Sequence, residues 1–101
     1  MARLRWTPQA LDDIEAICKF IARDSDHFAH LFANKVFEKS KTLEVFPNAG
    51  RVVPESNQET IREIFHGNYR IIYRIIKDDV QVLTIHHSAR LFDASRIESD
   101  S

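Results

Sequence analysis

A chain of 101 residues with 44% apolar and 29% charged side chains has the make-up of one globular domain with a single modest core. Its formal charge of −1 counts against a dedicated nucleic-acid binder. The one cysteine, Cys18, excludes an internal disulfide and argues against a thiolate metal site. With two glycines a phosphate-cradling loop is excluded, and no apolar run approaches the ~18 residues of a membrane span, so a reduced, cytoplasmic setting is expected.

The stretch "RLRW" reads as a short strand with Leu4 and Trp6 on one side. Thr7-Pro8 then supplies an N-cap and a proline at the first helical position, where its missing N–H costs nothing. Leu11, Ile14, Ile17 with Cys18, and Ile21 recur at helical spacing, with acidic residues early and basic residues late on the other face. "RDSDH" offers cap candidates for a second helix carrying Phe28, Phe32, Val36, Leu43 and Phe46 and ending before Pro47. So short a linker forces an antiparallel helical hairpin.

"PNAG" is a turn, and "RVVPESNQE" is a polar connection with no periodicity. "TIREIF" alternates, Gly67-Asn68 turns, Tyr69–Ile76 forms the next strand, Lys77-Asp78-Asp79 turns again, and Val80–His87 forms the last. These last two strands carry apolar residues at both parities, which predicts a sheet covered on more than one part of its surface. The expected fold is α+β, ordered β-α-α-β-β-β, with the helical hairpin on a small antiparallel sheet; residues 1–92 form the domain and 93–101 a polar tail. Residues 61–92 hold a basic excess and the tail an acidic one.

Five histidines raise the question of a metal, but His27 and His30 lack a third ligand at helical spacing, and His86 and His87 point to opposite faces of a strand. No metal and no cofactor are expected. Cys18 falls in an apolar stripe, as a buried structural thiol would. What remains is acid–base chemistry with electrostatic help: Arg70, Arg74, Arg90 and His87 carry the charge and one titratable group that RNA cleavage through its own 2′-hydroxyl requires. The plain alternative is that arginines punctuate a solvated strand and discourage edge pairing.

From "LRWTPQALDDIEAICKFIARDS" through "VFPNAGR" and "IREIFHGNYRIIYRI" to "VLTIHHSARLF", the chain resembles the RelE/ParE superfamily of bacterial toxins over nearly all of residues 3–92. The resemblance implies the same β-α-α-β-β-β fold and a cognate antitoxin whose C-terminal segment neutralises the toxin. RelE-like members cleave mRNA on the ribosome; ParE-like members poison DNA gyrase. "YRIIYR" places Arg70 where RelE-like enzymes keep an arginine near the scissile phosphate, and His87 where some ribonuclease members keep a histidine. "PESNQET", however, holds none of the lysines RelE carries there, and Phe92 stands where RelE-like members place a proton-donating tyrosine. "FPNAGR" and "HHSARLF" resemble ParE endings. The ParE-like reading is therefore preferred, with Arg70, Tyr73, Arg74, His87, Arg90 and Phe92 as target-contact candidates and no catalytic residue implied. The alternative is a ribosome-dependent endoribonuclease using Arg70, His87 and Arg90.

Five phenylalanines lie between residues 20 and 46, more apolar surface than a small sheet covers. An exposed apolar groove in the isolated chain is expected, suited to an antitoxin helix or added strand.

Overall fold

The computed structural model describes residues 2–88. Strand β1, Leu4–Trp6, runs into helix α1, Pro8–Ala22. Thr7 caps α1 as expected: its backbone is extended and its hydroxyl accepts the Ala10 N–H at 3.0 Å. Ser25 does the same for helix α2, Asp26–Lys41, accepting the Phe28 N–H at 3.1 Å. The second helix stops short of the predicted end, because Thr42 Oγ1 donates to the Lys39 carbonyl and the last turn tightens into a 3-10 segment at Thr42–Glu44. Leu43 consequently enters the core, while Phe46 lies on the surface.

The remaining strands are β2, Arg51–Val52, β3, Ile61–His66, β4, Tyr69–Ile76, and β5, Asp79–His87. They form one five-stranded sheet in the order β1-β5-β4-β3-β2. Two features differ from the sequence expectation. The stretch after "PNAG" contains β2, whose two residues are too few to display an alternation, paired antiparallel with β3. And β1 joins β5 in parallel, Leu4 opposite Val80 and Trp6 opposite Val82, so the sheet is mixed. That pairing joins residues far apart in the chain, and no local pattern announces it.

Both tight hairpins turn through a left-handed residue, Gly67 at φ +55° and Lys77 at φ +55°. Between Ile72 and Tyr73 the β4–β5 register slips: Ile72 faces Thr84 but Tyr73 faces Val82, which leaves Leu83 as a bulge. Val82 and Ile85, of opposite parity, therefore both reach the helices. They join Ala10, Ile14, Phe32, Val36 and Ile71 in the main core. Burial of each such aliphatic side chain is worth roughly 1.5–3 kcal/mol over exposure.

Leu83 turns to the far face, where it packs with Val53, Ile61 and Ile72. Apolar residues at both parities are thus buried on both faces, as the strand composition predicted. Among the described residues no helix is long and apolar enough to cross a membrane.

Candidate functional site

The last hairpin distributes its chemistry over the two faces of the sheet. Arg70 follows Tyr69 and precedes Ile71, which both pack toward the helices, so its side chain lies on the far face. There it is 5% exposed. Its Nη1 and Nη2 donate to Glu55 Oε2 and Oε1 at 2.7 and 2.8 Å, and its Nε donates to Glu63 Oε1. Glu63 is itself fully buried and takes a second cation, Arg51 Nε, at 2.6 Å. Two arginines thus balance two carboxylates, and the planar guanidinium is held in a fork. The hydrogen bond to Glu55, opposed by burial and joined by Glu63, raises the Arg70 pKa above its ordinary value.

His87 lies on the other face. It stands opposite Tyr69 in the ladder, and the two rings meet edge-on at 5.2 Å. Tyr69 in turn packs edge-on against Phe32 of α2 at 5.1 Å. Beside them, between α1 and the end of β5, opens a cleft of about 750 Å³ lined by Asp13, Ile17, Phe20, Tyr69, Ile85 and His87, among others. Asp13 positions this wall. β1 pairs with β5 only as far as Val82, and beyond it Asp13 Oδ2 accepts the Thr84 hydroxyl and, at 3.2 Å, the Ile85 N–H.

The working surface expected from the sequence is therefore divided. Arg70 and Arg74 share the far face, His87 belongs to the helix face, and one phosphate cannot sit between Arg70 and His87. Tyr73 is core, not surface: it is fully buried, accepts the Gly50 N–H at 2.9 Å and donates to the Pro47 carbonyl at 2.7 Å. Burial raises its pKa. Arg74 is half-buried between Ile61 and Gln81. Arg90, Phe92 and the boundary with the tail lie outside the described residues. Among those described, no group of three or more His, Cys, Asp or Glu could hold a metal ion. Cys18 is partly buried against the core, which raises its pKa.

Sequence reasoning missed Glu55, Glu63 and Asp13. Glu55 comes from a loop without periodicity. Glu63 has the parity of Ile61, a buried position in an alternating strand, and that signal was available.

The expected apolar surface is present. Of the five phenylalanines between residues 20 and 46, Phe32 is buried, whereas Phe20 and Phe28, each 62% exposed, Phe37, and Phe46 at 65% are on the surface. Phe20 also lines the cleft, so apolar surface continues from the helical hairpin into it.

Against known proteins, residues 4–92 match the family described as the ParE toxin of the type II toxin–antitoxin system parDE. A curated relative, Toxin RelE2 of Caulobacter vibrioides, is 32% identical over 92 residues, covering 90% of this chain and all of that protein. Among solved structures, the chromosomal ParDE system from P. aeruginosa superposes with a TM-score of 0.71 at 23% identity, covering 86% of this chain and 96% of that one. The E. coli DinJ–YafQ complex gives 0.62 at 16% identity, covering 92% of this chain and 100% of the other. These two likenesses bear on the fold: helices packed on an open, mostly antiparallel sheet. The match over residues 4–92, with the relative at 32% identity, places the chain in the ParE toxin family of type II toxin–antitoxin systems, within the RelE/ParE superfamily.

Proposed function

We propose that this toxin acts in the cytoplasm by binding and poisoning DNA gyrase, and that a cognate antitoxin silences it by covering the apolar surface that runs from Phe20 into the α1–β5 cleft. One observation carries the choice of target: Arg70 and His87, which an RNA-cleaving mechanism would need at one phosphate, belong to opposite faces of the sheet. The Arg70 guanidinium is also taken up by two carboxylates, and the loop before β3 holds no lysine to replace it. A poison that works by binding needs no convergent acid and base. Arg74, His87, Arg90 and Phe92 are the proposed target contacts, with Arg70 and Tyr73 supporting them from within the fold.

The test is supercoiling of relaxed plasmid by purified gyrase, with the full chain freed of its antitoxin. Inhibition with trapped, cleaved DNA supports the reading. Unimpaired supercoiling in the presence of folded chain sinks it. Ribosome-dependent cleavage of an mRNA by the same preparation would establish the alternative, RelE-like reading, which the name of the Caulobacter relative favours.

A further inference from the structure

The sheet margin at the end of β3 gathers positive charge around an exposed ring. β2 pairs with β3 at Arg62 and Glu63 and then stops, so β3 runs on alone along that side to Phe65 and His66. Phe65 is 40% exposed on the far face. The Arg51 guanidinium lies 5.2 Å from the centre of its ring, and Lys39 of α2 reaches across the margin to donate from Nζ to the Phe65 carbonyl at 2.9 Å. Lys35, one helical turn before Lys39, belongs to the same flank of α2. His66 registers the field of this group: burial first, then Lys39 and Lys35, lowers its pKa.

We propose that this margin is a contact site for single-stranded nucleic acid, in which Lys35, Lys39 and Arg51 take backbone phosphates and the Phe65 ring takes a base. Two carboxylates accompany the group. Glu38 pairs with Lys35 at 3.3 Å, an exposed contact that a phosphate displaces at small cost. Glu63 is buried, shared with Arg70, and engages only the Nε of Arg51, whose side chain remains 60% exposed. Cations flanking an exposed aromatic are the two parts of a single-strand platform, charge for the backbone and a π-face for the base. An acidic peptide would use the lysines equally well but has no use for the ring, so Phe65 separates the two partners. The near-neutral total charge does not oppose this, because contact is made by the local group. The inference holds whether gyrase or the ribosome is the target.

The experiment is fluorescence anisotropy with labelled oligothymidylate and oligouridylate of about twelve nucleotides, within the usual single-domain site size. The purified full chain is titrated at about 50 and about 200 mM salt. Salt-sensitive binding is expected, and the preferred oligomer identifies DNA or RNA as the source. Phe65→Ala and Lys35→Glu each weaken binding about fivefold or more, and Lys35→Glu lowers the salt slope by about one. Lys19→Glu, on α1, leaves binding unchanged. Because Lys35 is an exposed helix residue, its variant folds and keeps the test decisive. No salt-sensitive binding by folded chain overturns the proposal. So does displacement of the oligomers by polyglutamate together with wild-type binding by Phe65→Ala, which would assign the margin to an acidic protein.

Discussion

The Arg70 guanidinium and the Glu55 carboxylate meet through two parallel hydrogen bonds, at 2.7 and 2.8 Å, across the far face of the sheet. Glu55 comes from the connection between β2 and β3, so the pair ties that loop onto β4. Glu63, beneath them and without solvent, relies on Arg70 and Arg51 for its compensation. Removing one partner of a buried pair costs far more than the pair itself contributes, because the remaining charge stays desolvated. Arg70→Met is expected to lose about 3–5 kcal/mol of stability in urea unfolding. Glu55→Gln keeps a hydrogen-bonding group in a partly exposed position and is expected to lose about 1–2 kcal/mol. Any loss of toxicity in an Arg70 variant is thereby expected to track loss of fold; a stable but harmless Arg70→Met protein would refute this assignment.

The Tyr73 hydroxyl joins the turn at Pro47 and Gly50 to the sheet. Tyr73→Phe leaves the buried Gly50 N–H without its acceptor and is expected to cost about 1–3 kcal/mol. Gly50→Ala is expected to be at least as harmful. An added Cβ would stand 2.6 Å from the Glu63 carbonyl oxygen and 2.7 Å from the Tyr73 hydroxyl, neither of which has room to retreat. Thermal unfolding of the two variants would check both, and unchanged midpoints would count against the tie.

Asp13 holds α1 to β5 where β1 no longer does. In Asp13→Ala the Ile85 amide is expected to exchange its hydrogen at least tenfold faster, while amides between β4 and β5 keep their protection. Site-resolved hydrogen exchange separates this from global destabilisation, in which every protected amide would accelerate together.

His66 makes stability depend on pH. Its folded pKa is below the ordinary 6.5, through burial and then the neighbouring Lys39 and Lys35. The unfolded chain therefore binds the proton more readily. The contribution is fully present above the unfolded value and is lost as pH falls through that value toward the folded one. His66→Gln is expected to flatten the fall in melting temperature between about pH 7.5 and about pH 5.5, relative to the parent chain. Equal slopes in the two proteins would remove His66 from the account.

Much of the architecture was legible because local signals agreed with one another. Thr7-Pro8 and the cap candidates Asp24, Ser25 and Asp26 announced the helices, and apolar residues at both parities in β4 and β5 announced a sheet covered on more than one part of its surface. Ile71, Val82 and Ile85 could be read as one apolar set facing the helices, but the bulge at Leu83 that lets Val82 and Ile85 share a face is contained in no alternation rule. The parallel pairing of β1 with β5 is a long-range event, and β2 is too short to carry a period. For the site, residue type was readable and company was not. Arg70 had the look of a surface arginine until Glu55, fifteen residues away in the loop, was found against it. Likewise, Arg70 stands opposite His86 in the ladder, and His87, one residue further along β5, takes the other face with Tyr69, which is why His87 and Arg70 part company.

Among the described residues, β5 outruns β1 and β3 outruns β2, and each stretch is guarded by a side chain from the helical hairpin: Asp13 on the Ile85 N–H and Lys39 on the Phe65 carbonyl. Each guard matches its edge, an acid for a donor and a base for an acceptor. Because both belong to one hairpin, a fluctuation that peels the hairpin away bares two sticky margins and the apolar underside together. Such a chain would have few half-open states that stay monomeric, and its lapses would end in cross-strand polymer. A protein that covers the α1–β5 cleft and holds the hairpin on the sheet would therefore act as a chaperone to this fold as well as a muzzle on its activity.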